Sequence, residues 1–353
     1  MPKLLTSSDT ALKSSGATTS RFLISFETQT TRTLTSFLRT TTPHRLHSTG
    51  TAPSSVSADE LSHFSALASS WWDPMGPSRV LHLMNPLRHE FIASCLAEGP
   101  PMHDQQQQPG QLQGQEQANL HYLDVGCGGG IFAESLARTI PSKENKTVTP
   151  TRTASITALD PSSTLIQIAR EHARIDPTVD THLRTGWFSY QNRTLEDLIE
   201  SSSDSSEKKQ FDIVTLFEVL EHIDPSTSSP LAFLTNCLRL VKPGGWLVGS
   251  TIARSFPSFL VNQVIAEAPW PIGVVPRGTH EWSKFVNPDE VKAWVQEGLM
   301  RGRDGTAEKA GSEALQGSMW KCEGVMYFPG LGWEIVKGSE DWGNYFWAVR
   351  KGV

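Results

Sequence analysis

The chain has 353 residues, of which 38% are hydrophobic and 8% aromatic, and a formal net charge of −6. This length and composition allow a sizeable core in one large domain or two small ones, and the apolar runs stop short of the ~18 residues that a membrane-spanning helix needs. Four scattered cysteines show neither the paired spacing of a zinc site nor the density of a disulfide framework, which fits a reducing compartment.

Segment 1–57 is predicted to be a mitochondrial transit peptide or a disordered leader. Residues 1–50 contain six Lys or Arg against two acids, together with 21 Ser or Thr. A basic, hydroxyl-rich and acid-poor composition is typical of organelle transit peptides. The residues after position 50 include 25 basic and 35 acidic side chains. This negative balance argues against nucleic acid as a partner.

The predicted elements of the remaining chain begin with two helices. They are expected over Ala58–Ser70 and near Pro86–Ala97, and a Gln-rich insertion without apolar periodicity follows at 100–119. Residues 120–160 then predict a strand, a glycine turn, a helix, a polar loop and a second strand. This order is a βαβ unit.

The rest of the chain continues the alternation of strands and helices. It contains a helix at Ser162–Arg174, the strand FDIVTLF, the helix PLAFLTNCLRLV, a KPGG turn and the strand WLVGSTI. A polar loop follows at 301–317, and GVMYFPGLGWEIV and NYFWAVRK are predicted as two strands that close the sheet. Such alternation predicts a mostly parallel sheet covered on both faces, so 58–353 is expected to be one α/β domain.

The segment LDVGCGGG, Leu123–Gly130, predicts a nucleotide-type cofactor site. Its glycines let the backbone turn sharply at a strand end and approach a ligand closely. Asp160 ends the next strand, where a carboxylate can accept hydrogen bonds from both ribose hydroxyls. The dinucleotide fingerprint needs a small residue where Ile131 stands, so an NAD-dependent oxidoreductase is disfavoured. The alternative is a structural turn beside an unrelated surface Asp.

Four motifs in this order, LDVGCGGG, ITALD, FDIVTLFEVLEHIDP and LRLVKPGG, resemble those of class I S-adenosylmethionine-dependent methyltransferases. More specifically, WWDP, LHLMNPLRHEFI, EVLEH and VPRGTHEWSKFVNPDEV are similar to the O-methyltransferases of ubiquinone biosynthesis, over most of Trp71–Lys351. The resemblance implies a Rossmann-like α/β fold with a mostly parallel seven-stranded sheet, helices on both faces and an antiparallel C-terminal strand. It also implies S-adenosyl-L-methionine as the cofactor.

The resemblance places the cofactor contacts on Arg88, Gly126, Asp160 and Phe217. Arg88 has a rationale of its own, because a guanidinium can hold a methionine carboxylate through two parallel hydrogen bonds. Phe217 stands where Met or Leu is common in the family, and an aromatic ring there can still pack on adenine. The tryptophan pair of WWDP is expected either to pack as a lid or to contact the substrate.

Three residues of EVLEH are the candidate catalytic group. If a helical turn begins where the strand FDIVTLF ends, Glu218, Glu221 and His222 stand at i, i+3 and i+4 on one face. A solvated helix face is the ordinary alternative. The resemblance implies that the three residues bind a divalent metal, expected to be Mg²⁺, which would lower the phenol pKa. Because a His is among them, Mn²⁺ or Zn²⁺ stays open, and so does a general-base role for His222.

The resemblance implies an O-methyltransferase that acts on catechol hydroxyls of 3,4-dihydroxy-5-polyprenylbenzoate and 3-demethylubiquinol. A non-catalytic scaffold subunit, or a methyltransferase of another small phenolic, is the alternative. The expected location is the matrix side of the mitochondrial inner membrane, as a peripheral protein within a multi-protein biosynthetic complex. Segment Ser255–Val275, with apolar residues at helical spacing, is predicted to contact the bilayer, unless it is a buried core helix.

Overall fold

The computed structural model describes residues 54–99, 119–142, 146–203, 209–224, 227–259, 282–301, 315–328 and 330–353. Residues 1–53 of the predicted leader lie outside this set. So do nearly all of the Gln-rich insertion and most of the polar loop at 301–317. The account of these three segments therefore stays a prediction.

Helices and strands alternate along the described chain, as the sequence predicts. The helices are α1 Ala58–Leu67, α2 Arg79–Glu98, α3 Ile131–Ala137, α4 Ser163–Ala173, α5 Pro177–Thr185, α6 Leu195–Ser203, α7 Pro230–Leu240, the short α8 Phe256–Ser258 and α9 Pro288–Arg301. The strands are β1 Leu120–Val125, β2 Thr153–Asp160, β3 Phe188–Asn192, β4 Phe211–Phe217, β5 Val241–Ile252, β6 Met319–Phe328, β7 Gly332–Ile335 and β8 Asn344–Arg350.

The strands form one sheet in the order β3-β2-β1-β4-β5-β8-β6-β7. The first five are parallel, and β8 pairs antiparallel with β5, from Trp246 opposite Arg350 to Ile252 opposite Asn344. The predicted antiparallel C-terminal strand is therefore confirmed. All five parallel strands present their carboxyl ends at the same edge of the sheet, which is where ligands bind in folds of this type.

The described sheet has eight strands, so the expected number of seven is wrong. The segment GVMYFPGLGWEIV, predicted as one strand, folds as a hairpin in which the end of β6 pairs antiparallel with β7. Gly330 and Gly332 have φ of 86° and 92°, and Leu331 N–H donates to Phe328 O. Because left-handed φ values suit glycine, these residues reverse the chain and create the extra edge strand.

Helix α2 begins at Arg79, seven residues before the predicted start at Pro86. Proline lacks an N–H, so Pro86 removes one backbone hydrogen bond from the helix interior and predicts a break. Packing outweighs this loss. Phe91 and Ile92 are fully buried against the sheet, and Asn85 Nδ2 donates to Ile131 O, which ties α2 to the start of α3.

Side chains from the two sides of the sheet form two apolar cores. One core contains Phe91 of α2, Phe132 of α3 and Tyr122 of β1. The other contains Leu123 of β1 together with residues of α7 and α9, such as Leu234 and Val295. Adjacent residues of a strand point to opposite faces, so β1 contributes to both cores. The prediction of helices on both faces is confirmed.

The chain enters the domain through a short ordered segment before α1. Ser57 caps α1, accepting from Glu60 N–H at 3.2 Å. Ser55 is buried, and its carbonyl oxygen accepts from Asp224 N–H at 2.9 Å. Among the described helices, none has the length and apolar character needed to cross a membrane.

Candidate active site

One cavity of about 590 Å³ lies at the carboxyl edge of the parallel strands. Its walls come from α1, α2, the loop after β1, the end of β2 and the turn after β4. All seven residues predicted as site residues line this cavity: Arg88, Gly126, Asp160, Phe217, Glu218, Glu221 and His222. The structure therefore brings together residues that are up to 134 positions apart in the sequence.

The loop after β1 forms one wall of the cavity because it consists largely of glycine. Gly126 has φ of 71°, and a Cβ there would lie 2.8 Å from Val219 of the turn after β4. Gly130 has φ of 89°, and a Cβ there would lie 2.2 Å from the hydroxyl oxygen of Tyr190. Both the backbone angle and the close neighbours exclude a side chain. The loop can thus lie close to a ligand.

Asp160 stands beside this loop at the end of β2. Its carboxylate accepts from Gly128 N–H at 2.9 Å and from Ser162 N–H at 2.8 Å. Burial raises the pKa of Asp160 to about 6, although both hydrogen bonds oppose the shift. The two bonds hold the carboxylate at the cavity wall, and its contact with ribose hydroxyls stays a prediction.

Arg88 of α2 is a buried cation with an unsatisfied donor. Its Nη1 donates to Asn85 Oδ1 at 3.0 Å, and its guanidinium carbon lies 4.9 Å from the centre of the Phe217 ring. Its Nε has no hydrogen-bond partner. Burial lowers the pKa of Arg88, while the charges of Glu218 and Asp124 oppose the shift. A buried guanidinium with an unpaired donor fits an anionic ligand group, such as the carboxylate of S-adenosylmethionine.

The turn after β4 does not have the predicted geometry. Glu218 has φ of 56°, and only Leu220–His222 form a helical turn, of the 3₁₀ type. The expectation that Glu218, Glu221 and His222 share one face of a single helical turn is therefore wrong, because Glu218 lies outside the turn. Ser250 of β5 holds the strained backbone: Glu218 N–H donates to Ser250 O at 3.2 Å, and Ser250 Oγ donates to Glu218 Oε1 at 2.5 Å.

Glu221 and His222 are both held by partners outside the turn. Glu221 Oε2 accepts from Thr251 Oγ1 at 2.8 Å, and burial together with the charge of Glu218 raises the pKa of Glu221 above its usual range. His222 Nδ1 lies 3.3 Å from Glu60 Oε2 of α1. Burial lowers the pKa of His222, but the hydrogen bond to Glu60 and the nearby carboxylates outweigh burial and raise it.

Comparison with known proteins identifies the chain. A family model described as a methyltransferase domain matches residues 93–298. The mitochondrial ubiquinone biosynthesis O-methyltransferase of Candida albicans is 33% identical over 327 residues, which covers 86% of this chain and 87% of that relative. The chain belongs to the ubiquinone biosynthesis O-methyltransferase family.

A second relative agrees with this assignment. The ubiquinone biosynthesis O-methyltransferase of Alkalilimnicola ehrlichii is 35% identical, over 70% of this chain and 81% of that protein. Among solved structures, the plantazolicin methyltransferase BpumL with bound S-adenosylhomocysteine is 13% identical with a TM-score of 0.46, over 84% of this chain and 97% of that one. Family membership confirms the predicted enzyme class, an S-adenosylmethionine-dependent O-methyltransferase.

The three predicted metal ligands of the methyltransferase do not converge on one point. Glu218 and Glu221 each bond to a hydroxyl of β5, and His222 turns its Nδ1 toward Glu60. Within the described part of the chain, no group of three His, Cys, Asp or Glu side chains is placed to hold a metal ion. In this arrangement the residues do not fit a magnesium site, and the metal stays a prediction from the family resemblance.

Five charged residues of the cavity were not predicted from the sequence: Asp59, Glu60, Asp124, Asp224 and Lys284. Glu60 contacts His222 and, through Oε1, Lys284 Nζ at 2.8 Å. The hydrogen bond from His222 is the main reason that the pKa of Glu60 falls to about 2. Asp124 had a sequence signal, a charged residue inside an apolar strand just before the glycine turn. Lys284 lies within the family-like segment VPRGTHEWSKFVNPDEV.

Proposed function

We propose that this methyltransferase transfers a methyl group to a catechol hydroxyl of polyprenylated intermediates in ubiquinone biosynthesis. The proposed acceptors are 3,4-dihydroxy-5-polyprenylbenzoate and 3-demethylubiquinol. One observation carries the proposal: a single cavity combines a cofactor-type half, Arg88, the glycine loop and Asp160, with an acid–base half at Glu60 and His222. The names of the relatives support the pathway.

The charges of the cavity suit this cofactor. Seven acidic side chains line it against Arg88 and Lys284: Asp59, Glu60, Asp124, Asp160, Glu218, Glu221 and Asp224. S-adenosylmethionine supplies the methyl group on a positively charged sulfonium, which an acidic cavity attracts. Arg88 is assigned to its carboxylate, Asp160 to the ribose hydroxyls, and Gly126 and Phe217 to the adjoining walls.

His222 is assigned as the general base. Its Nδ1 faces the Glu60 carboxylate, which is ionised because its pKa is near 2, so Nδ1 carries the proton and donates it. Nε2 then has the free lone pair and can accept the phenol proton. The phenolate oxygen forms the new bond to the methyl carbon as the carbon–sulfur bond breaks, and the proton on His222 passes to solvent afterwards.

A direct assay tests the function. Purified protein is incubated with labelled S-adenosylmethionine and a catechol that carries a short prenyl tail, and methyl transfer to the catechol oxygen is expected. Transfer only to catechols without a prenyl tail would favour another small phenolic as the substrate. If no catechol accepts the methyl group, with or without divalent metal, the scaffold alternative gains support and the proposal fails.

A chelator distinguishes the base from the metal ligand. With His222 as base, methyl transfer is expected to persist in chelator, and His222→Gln is expected to abolish it while cofactor binding survives. If chelator stops the reaction and Mg²⁺ restores it, Glu218, Glu221 and His222 must rearrange around the cation. That result would overturn the assignment of His222 as the base. Mn²⁺ and Zn²⁺ added in place of Mg²⁺ would identify the preferred metal.

We also propose that the protein is mitochondrial and lies peripherally on the matrix side of the inner membrane, within a biosynthetic complex. The mitochondrial relative from Candida albicans supports the compartment. Most of the predicted membrane segment, Ser255–Val275, lies outside the described residues, but its described flanks expose aromatic rings. Phe256 and Phe259 are exposed, and Trp282 packs edge-on against Phe259 at 6.5 Å between ring centres. Exposed aromatic rings suit a bilayer interface.

Co-sedimentation with liposomes tests the membrane proposal. The double variant Phe259→Glu, Trp270→Glu is expected to bind vesicles less than the wild type does. Trp187→Glu is the matched control, because Trp187 is 52% exposed but precedes β3, at the opposite edge of the sheet. The proposal fails if the folded double variant binds vesicles as well as the control does.

A further inference from the structure

A cation stands at the acid–base end of the cavity and has no role in the steps above. Lys284 lines the cavity, and its side chain is 32% exposed. Arg88, the other permanent cation among the described lining residues, is buried against Phe217 and is assigned to the cofactor. Lys284 is therefore the cation that a substrate entering from solvent can reach.

The backbone holds Lys284 firmly in place. It ends a 3₁₀ turn that spans Trp282–Lys284, and Phe285 N–H donates to Trp282 O at 3.2 Å. Phe285 is fully buried, and Val286 N–H donates to Ile252 O at the end of β5. The backbone of Lys284 is thus anchored at the carboxyl edge of the sheet, where the cavity lies, and the ion pair with Glu60 orients its ammonium group.

Glu60 sets the spacing between Lys284 and the base. One carboxylate oxygen lies 2.8 Å from Lys284 Nζ, and the other lies 3.3 Å from His222 Nδ1. Lys284 and His222 therefore lie on the two sides of one carboxylate and line the same cavity. An ammonium has three N–H donors, so Lys284 can bind Glu60 and a second carboxylate at the same time. The negative charge of Glu60 is shared between two basic partners, which limits its repulsion of another anion.

We propose that Lys284 binds the ring carboxylate of a benzoate-type catechol while His222 acts on the hydroxyl at the other side of the ring. This inference rests on the proposed function and adds a determinant of specificity to it. A catechol or quinol without a carboxylate makes no such contact. Lys284 therefore sets the relative preference of the enzyme for its two classes of acceptor.

The test compares two acceptors: 3,4-dihydroxybenzoate with a short prenyl group at position 5, and the same catechol with a methyl group in place of the carboxylate. The readout is the kcat/KM for the benzoate divided by the kcat/KM for the methyl analogue. A variant that merely impairs His222 lowers both values equally, so the ratio does not change. Lys284→Met is expected to lower the ratio about tenfold, mainly through a higher KM for the benzoate, as for a lost hydrogen bond between charged groups. Lys284→Arg keeps the charge and is expected to retain most of the ratio.

Lys292→Met is the matched control, because Lys292 is exposed on α9 and does not line the cavity. Its ratio is expected to equal that of the wild type. An unchanged ratio in Lys284→Met, or an equal loss in Lys284→Arg and Lys284→Met, overturns the assignment. Failure of the wild type to methylate either acceptor overturns the proposed function itself. Transfer to both acceptors with an unchanged ratio overturns only the role of Lys284.

Discussion

The buried carboxylate of Asp124 is expected to lower the free energy of unfolding of this protein. It lies on β1 beside the cavity, 3% exposed, and its Oδ1 accepts from Thr215 Oγ1 at 2.7 Å. Burial raises the pKa of Asp124 from an ordinary 3.8 to about 7, although the Thr215 bond and the charge of Arg88 oppose the shift. The substitution Asp124→Asn keeps the shape and the acceptor oxygen but removes the charge.

The pKa values give the size of the effect. The folded state holds the Asp124 proton more tightly than the unfolded state, so the contribution of this group to stability falls as pH rises from about 4 to about 7. One pKa unit corresponds to about 1.4 kcal/mol, so the ionised carboxylate costs about 4 kcal/mol above pH 7. Asp124→Asn is therefore expected to be about 4 kcal/mol more stable than the wild type at pH 8, and only about 2 kcal/mol more stable at pH 5.

Urea unfolding of the cofactor-free protein, followed by tryptophan fluorescence at both pH values, measures this difference. The control is Asp212→Asn. Asp212 is also buried, but its carboxylate accepts from Lys242 Nζ at 2.9 Å and from His121 N–H at 2.8 Å, so its loss is expected to destabilise. A wild type as stable as Asp124→Asn at pH 8, or a difference that does not shrink at pH 5, would refute the reasoning. Asp124→Asn is also expected to bind the cationic cofactor more weakly. A buried carboxylate that destabilises the fold and lies beside a cavity is typical of a functional group.

Three further outcomes follow from the same geometry. Gly130→Ala is expected to lower the free energy of unfolding in urea by about 2 kcal/mol or more, since it adds a steric clash to the strain of a positive φ. Gly186 has φ of 81° with open space around it, so Gly186→Ala is expected to cost only about 1 kcal/mol. Equal losses in the two variants would contradict this reasoning. Arg88→Met is expected to weaken S-adenosylmethionine binding in calorimetry at least about tenfold, and unchanged affinity would refute the carboxylate assignment. Because neutral His222 is the active form, the rate of methyl transfer is expected to rise with pH through the pKa of His222. Glu60 raises that pKa, so Glu60→Gln is expected to move the midpoint of the pH profile to lower pH. A midpoint that stays in place would contradict the pairing of His222 with Glu60.

The sequence predicts that Gly126 and Asp160 lie at one cavity, because local rules determine their positions. A glycine turn after an apolar strand, and an acid at the end of the next strand, must both lie at the carboxyl edge of a parallel sheet. Gly126 and Asp160 accordingly line the cavity. The alternation of elements likewise predicts the layered α/β fold, but it does not predict α5, β3 and α6, and it takes the hairpin of β6 and β7 as one strand.

The acid–base half depends on contacts between distant segments, which no local pattern contains. Glu218 takes a left-handed conformation because Ser250, 32 residues later, accepts its N–H and binds its carboxylate. Glu60 reaches His222 across 162 residues. Helical spacing in EVLEH therefore gave the wrong relative positions, although the three residues belong to the cavity as predicted.

The segment before α1 contributes contacts to the domain, although it falls within the predicted leader. A cut at residue 57, the end of the predicted leader, would delete both the Ser55 carbonyl that accepts from Asp224 N–H and the Ser57 cap of α1. Loss of a helix cap costs about 1 kcal/mol and frays the first turn, which here carries Glu60. If the predicted leader is removed, a cut before Ser55 would keep both contacts, whereas a cut at residue 57 would weaken the turn that holds Glu60 beside His222.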